Sequence, residues 1–116
     1  MPEAETALEI RRAGDHAAVI AIRGELTGAT EAALMEAYGR AADPSTRVVV
    51  LDFSELEYMN STGIGLLVTL LVRAQRQRQR LMAFGLSEHY REILSLTRLD
   101  EAIGVVESEE EALRGG

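Results

Sequence analysis

The feature that most constrains the fold is an unbroken apolar run in the middle of the chain, within residues 47–53. Strands with one exposed face alternate apolar and polar residues, whereas Val48, Val49 and Val50 follow one another directly. A continuous β-branched run is typical of a central strand that other elements cover, as in a parallel sheet. The run therefore predicts a sheet with packed helices rather than a helical bundle.

Further strand and helix patterns surround this central run. Strand patterns occupy five segments: residues 7–12, 17–22, 47–53, 80–86 and 103–106. Helical spacing of apolar residues, or a capping residue, marks four helices. Their candidate N-caps are Thr27 or Thr30 for the first, Asn60, Ser61 or Thr62 for the second, Ser87 for the third and Ser108 for the fourth. The first two strands flank a turn at residues 14–15 and predict a hairpin. A short loop is expected over residues 54–59, before the second helix.

These elements predict one α/β domain, α+β-like in character, over residues 1–116 with its core at 5–114. A chain of this length is close to the usual size of a single domain. The predicted order is ββαβαβαβα, with a mixed sheet and with helices mainly on one face. The strand at 17–22 is expected beside the strand at 48–51.

Charge and hydropathy argue against nucleic acid and membrane as partners. Nineteen acidic residues outnumber 12 basic ones, and the net charge is −7. A duplex binder needs a basic footprint, so we interpret the arginines at 73, 76, 78 and 80 as a solvated helix end. The longest apolar run, at 64–72, is too short to cross a bilayer. Because the chain opens without a signal-peptide pattern, we expect a cytoplasmic protein.

Two residue types that often serve catalysis and metal binding are scarce in this sequence: cysteine is absent, and there are two histidines. It contains no cysteine, which excludes a disulfide framework, a thiolate zinc site and a cysteine nucleophile. His16 and His89 each lack a second histidine or a carboxylate at ligand spacing. Neither a Ser/His/Asp order nor a Walker-type phosphate loop is present. We therefore expect a non-enzymatic protein without a metal or a cofactor.

Two adjacent hydroxyl residues, Ser61 and Thr62, stand at the predicted start of the second helix. Free N–H groups and the helix dipole stabilise an anion there, so a phosphate on either hydroxyl would be favoured. Gly63 and Gly65 keep the backbone accessible to the active site of another protein. The alternative is that Asn60, Ser61 or Thr62 serves only as an N-cap, the usual role of such residues. Spacing alone leaves both interpretations open.

Four segments together resemble the STAS domain family, in particular bacterial anti-sigma factor antagonists. Residues 58–67, which contain Asn60-Ser61-Thr62-Gly63, resemble the phosphorylation-site loop of that family. The other three segments are Gly24-Glu25-Leu26-Thr27, Asp52-Phe53-Ser54 and Leu96-Thr97-Arg98-Leu99. The resemblance covers residues 5–114, nearly the whole chain.

The resemblance implies a regulator that switches between partners. In this family the unmodified domain binds an anti-sigma factor that is also a serine kinase. Phosphorylation of the loop serine ends this binding, and a PP2C-type phosphatase restores it. The implied phosphoacceptor is Ser61, with Thr62 as the second choice. The implied partner-binding residues lie in two segments: Gly24, Glu25, Leu26 and Thr27, then Asn60, Ser61, Thr62, Gly63, Ile64 and Leu66.

Three positions depart from the family pattern. Asn60 stands where the family has an aspartate directly before the serine, Thr27 replaces another aspartate, and Arg98 replaces a glycine. The family also includes scaffolds and subunits of transport complexes, so the alternative function is protein binding without a phosphate switch. Leu66 and Leu70 add a second apolar stripe to the helix, and this stripe is either core or docking surface.

Overall fold

The structure is a computed structural model that describes residues 7–114, in which six strands and four helices form a layered α/β domain. The strands are β1 (Ala7–Arg12), β2 (Ala17–Leu26), β3 (Val48–Asp52), β4 (Leu56–Met59), β5 (Arg80–Phe84) and β6 (Gly104–Val106). The helices are α1 (Glu31–Ala41), α2 (Ser61–Arg76), α3 (Glu88–Leu96) and α4 (Glu109–Leu113). Short 3-10 turns occupy Gly28–Thr30 and Leu99–Glu101.

The sheet is mixed and has β3 at its centre. Its strand order is β1-β2-β3-β5-β6; β1 and β2 form the antiparallel hairpin, and the other neighbours in this order are parallel. The β2–β3 register runs from Ala17 opposite Val48 to Ala21 opposite Asp52. Val49, Val50 and Leu51 are fully buried. The prediction of a covered central strand beside the strand at 17–22 is confirmed.

Helices cover the two faces of the sheet unequally. Three of them, α1, α2 and α3, contribute Leu34, Leu67 and Leu94 to the main core on one face. On the other face, Ala112 of α4 packs in a smaller cluster with Val19, Val50 and Met82. Successive side chains of a strand point to opposite faces, and therefore β3 supplies both clusters. The predicted fold class, with helices mainly on one face, is confirmed.

The loop predicted over residues 54–59 is wrong for most of its length. Leu56–Met59 forms β4, which pairs in parallel with the far end of β2 after a register shift between Gly24 and Glu25. For the same reason β2 extends to Leu26, four residues beyond the predicted strand end at residue 22. The observed order is consequently ββαββαβαβα, with one strand more than predicted.

The second half of α2 is anchored to α1, so the prediction of a wholly solvated arginine-rich end is wrong for Arg73. Its guanidinium donates to the carbonyl of Met35 at 3.1 Å and lies 5.1 Å from the ring centroid of Tyr38. The Tyr38 hydroxyl donates to the Gln79 side chain at 2.6 Å. Burial raises the pKa of Tyr38 to about 12, which keeps this donor protonated. The helix ends at Arg76.

Candidate functional site

Two of the segments that resemble the STAS family, residues 24–27 and 58–67, meet where β2 and β4 end and α2 begins. Leu26 lies opposite Met59 in the β2–β4 register. One residue further on, the N–H of Asn60 donates to the Leu26 carbonyl at 3.4 Å, and α2 starts directly at Ser61. We call residues 59–63 the entry segment. The sheet thus holds the first turn of α2 against the end of β2.

Asn60 is the N-cap of α2. Its side-chain oxygen accepts from the N–H of Gly63 at 2.9 Å, and its carbonyl accepts from the N–H of Ile64 at 3.0 Å. Because this cap is made by Asn60, the hydroxyls of Ser61 and Thr62 are not needed for it. Both residues are exposed in the first turn of the helix. The two interpretations left open by the sequence therefore apply to different residues.

The electrostatic environment of Ser61 suits an added anion. Its first-turn position places it where the unpaired N–H groups and the positive end of the helix dipole lie. The first turn of α2 contains no acidic side chain. A phosphate on Ser61 would therefore be stabilised by the helix rather than repelled by a carboxylate of the same turn.

Gly63 allows the close approach between α2 and β2. A Cβ atom at this position would lie 2.2 Å from the carbonyl oxygen of Leu26 and 2.9 Å from Cγ of Met59. Real Cβ atoms essentially never approach other heavy atoms this closely, so any side chain at this position would force α2 to shift away from β2. Gly63 is buried, and its backbone packs directly against the end of β2.

The predicted partner-binding residues differ in their exposure. Glu25, Ser61 and Thr62 are exposed, and Thr27, Asn60 and Ile64 are half-buried. The remaining four are buried: Gly24, Leu26, Gly63 and Leu66. The main core takes up the side chains of Leu26 and Leu66. Gly63 packs directly against the backbone of β2, and Gly24 adopts a positive φ of 84°. Leu70 is fully buried as well, so the second apolar stripe of α2 is core.

The turn after β2 lies beside the entry segment. Of the two candidate caps, Thr27 caps the short 3-10 turn Gly28–Thr30, where its hydroxyl accepts from the N–H of Ala29 at 3.2 Å. Thr30 is the N-cap residue of α1 but makes no side-chain cap bond to that helix. The Thr30 hydroxyl in turn donates to the Thr27 carbonyl at 2.7 Å. A Cβ on Gly28 would lie 3.3 Å from the methyl group of Thr62. The structure thus brings the two predicted binding segments together.

Four residues of β4, α2 and α3 were not among the predicted partner-binding residues. Tyr58 on β4 is 47% exposed, and Val68 and Val72 on α2 are 40% and 41% exposed. The signal for the two valines is their spacing, because positions 61, 65, 68 and 72 fall on one face of a helix. Tyr90 of α3, whose hydroxyl accepts from the N–H of Met59 at 2.9 Å, has no local sequence signal.

Within residues 7–114, no three His, Cys, Asp or Glu side chains are grouped so that they could hold a metal ion. His16 instead has its Nδ1 atom 3.0 Å from the carbonyl of Ser45. In the same part of the chain, no helix combines the length and the apolar character that crossing a membrane requires.

Comparison with known proteins finds similar proteins in bacteria. The anti-sigma-B factor antagonist of Listeria monocytogenes is 28% identical over 99 residues, which are 84% of this chain and 86% of that protein. An anti-sigma factor antagonist from Mycobacterium paratuberculosis matches with a TM-score of 0.82 at 21% identity, over 96% of this chain and 93% of the other. SpoIIAA in its unphosphorylated form matches with a TM-score of 0.68 at 18% identity, over 94% and 96%.

A family model also matches most of the chain. The family is described as "Mlab, STAS domain", and the match extends over residues 10–107. This range contains β2, β4, the entry segment and α2, which together build the site. The solved structures share the same fold along nearly their whole length. The chain therefore belongs to the STAS domain family.

Proposed function

We propose that this protein is an anti-sigma factor antagonist that acts in the cytoplasm by partner switching at Ser61. The unmodified protein binds an anti-sigma factor that is also a serine kinase. Transfer of phosphate to the Ser61 hydroxyl ends this binding, and a PP2C-type phosphatase removes the phosphate. The protein itself is a regulator and not an enzyme. The names of the relatives support this proposal.

The observation that carries the proposal is the division of roles between Asn60 and Ser61. Since Asn60 satisfies the helix cap, the Ser61 hydroxyl is exposed at the positive end of α2 and has no structural duty in that cap. Thr62 is the weaker acceptor, because its methyl group packs beside Gly28. A kinase that approaches α2 from its start reaches Ser61 first.

The partner surface is proposed to surround this hydroxyl. Glu25 and Thr27 lie on the β2 side, Ile64 lies in the first turn of α2, and Tyr58 projects from β4. Aromatic residues are enriched in protein interfaces. The buried Leu26, Gly63 and Leu66 act on this surface only by shaping the backbone beneath it.

The first test of the proposal is phosphate labelling by the cognate kinase with ATP. We expect wild-type protein and Thr62→Ala to be labelled, and Ser61→Ala to show no labelling at the entry segment. The two variants are matched, since each removes one exposed hydroxyl from the same helical turn. Undiminished labelling of Ser61→Ala, located by mass spectrometry, would assign the phosphate to another residue.

Asn60→Asp is expected to raise the phosphorylation rate and to leave stability nearly unchanged. Asn and Asp are equally good N-caps, so the hydrogen bond to Gly63 persists, and a carboxylate at the helix start adds at most about 1 kcal/mol. The second carboxylate oxygen can accept the Ser61 hydroxyl proton in place of the amide donor. Initial phosphorylation rates and thermal melts measure the two effects.

Asn60→Ala is the control for this prediction, because it removes the cap and costs about 1 kcal/mol. Equal or slower phosphorylation of Asn60→Asp would mean that the residue before the serine acts only as a cap.

The second candidate function is a protein-binding subunit of a larger complex without a phosphate switch. One observation favours it: Asn60 stands in place of the aspartate expected before the serine. The labelling experiment separates the two functions, since a scaffold without a phosphate switch takes up no phosphate at Ser61.

A further inference from the structure

A side-chain hydrogen bond connects α3 to the entry segment. The backbone N–H of Met59 donates to the hydroxyl oxygen of Tyr90 at 2.9 Å. Met59 is the last residue of β4 and lies directly before the Asn60 cap, whereas Tyr90 lies in the first half of α3. This contact therefore joins the proposed switch to a helix 31 residues away in the sequence.

The direction of the Met59 N–H explains why its acceptor is a side chain. Successive N–H groups along a strand point to opposite sides. The N–H of Asn60 points toward β2 and reaches the Leu26 carbonyl at 3.4 Å, so the N–H of Met59 points away from β2. β4 pairs with β2 on one side. On its other side, the Tyr90 hydroxyl accepts the hydrogen bond that a carbonyl of a further strand would accept in a wider sheet.

Burial makes the loss of this hydrogen bond unfavourable. Met59 is buried, and Tyr90 is half-buried against the main core. A buried N–H without an acceptor has given up its hydration without compensation. Tyr90 is itself held in place, because Ser87 accepts from its N–H at 3.4 Å and the ring of His89 meets its ring edge-on at 4.9 Å.

We infer that Tyr90 is a positioning residue for Ser61, an inference that rests on the proposed function. Its hydroxyl holds Met59 at the end of β4, and Met59 sets the position of the Asn60 cap. The cap in turn sets the direction in which α2 starts and presents Ser61. Without the hydroxyl, the entry segment adopts several arrangements, and the partner meets the binding-competent one in a smaller fraction of molecules.

The test compares Tyr90→Phe with Tyr38→Phe, two variants that each lose one hydroxyl from an internal hydrogen bond. Tyr38 bonds to Gln79 beyond the opposite end of α2, so its variant reports a purely structural loss. NMR-detected exchange of the Gly63 and Ile64 amides, both bonded to Asn60, measures the state of the cap. Titration with the anti-sigma factor measures the affinity.

Tyr90→Phe is expected to accelerate exchange of these two amides by up to about tenfold beyond any change in the β3 amides, and to weaken partner binding by about three- to tenfold. Tyr38→Phe should change neither. Two results would overturn the inference. In the first, the exchange rates of the Gly63 and Ile64 amides in Tyr90→Phe increase no more than those of the β3 amides. In the second, the same two rates increase as much in Tyr38→Phe as in Tyr90→Phe. Exchange is measured on the protein alone, so it decides the role of Tyr90 even if Ser61 is never phosphorylated.

Discussion

Gly63→Ala is expected to lower the free energy of unfolding by about 3 kcal/mol, at the upper end of what overpacking of a core costs. The added Cβ would lie 2.2 Å from the Leu26 carbonyl oxygen. That oxygen belongs to the backbone of β2, which pairs with β4 at this point, so it cannot move aside as a flexible side chain would. Relief requires α2 to shift away from the sheet. Urea unfolding measures the loss.

Gly65→Ala is the matched control, since it makes the same change two residues later in the same helix. A Cβ on Gly65 meets no atom within 4 Å. Alanine is a better helix former than glycine, so this variant should gain about 0.5–1 kcal/mol. Equal effects of the two substitutions would contradict the packing described for Gly63.

Phosphate on Ser61 is expected to weaken binding of the anti-sigma factor by at least about 100-fold, which corresponds to 2.8 kcal/mol. Phosphate adds a charge of about −1.5 to −2 at neutral pH. At a protein interface this charge must be desolvated without a partner, and an uncompensated buried charge costs about 3–5 kcal/mol. Calorimetric titration of the purified unmodified and phosphorylated proteins measures the difference.

The fold should tolerate the same modification. The helix dipole stabilises a first-turn anion by about 0.3–1 kcal/mol, so thermal melts of the two forms should nearly coincide. A large drop in melting temperature on phosphorylation would mean that binding is lost through unfolding instead.

The sequence predicts the centre of the fold well because its strongest pattern belongs to a strand with two parallel neighbours. Val48–Asp52 is covered on both faces. Its run of β-branched residues favours a buried strand over a helix or a loop. β4 is harder to predict. It has four residues, of which Glu57 and Tyr58 are exposed, and its stability depends on pairing with an extension of β2 that carries no signal of its own.

The sequence predicts where the site lies, but it does not predict which of the site residues caps the helix. Three consecutive residues, Asn60, Ser61 and Thr62, are all capable of capping a helix, and only the backbone conformation selects Asn60. Burial of Leu66 also escapes the pattern, because α2 carries apolar residues over most of its circumference in its first half. The Tyr90 contact crosses 31 positions of sequence, beyond the reach of any local periodicity.

The central claim is that the Ser61 hydroxyl carries a phosphate switch on the partner surface. The most direct measurement is the mass of the preformed complex with the anti-sigma factor kinase, followed by light scattering after ATP is added. We predict that the wild-type complex dissociates as Ser61 becomes phosphorylated and that the Ser61→Ala complex stays intact. Dissociation of the Ser61→Ala complex, or a wild-type complex that persists with Ser61 fully phosphorylated, would contradict the account.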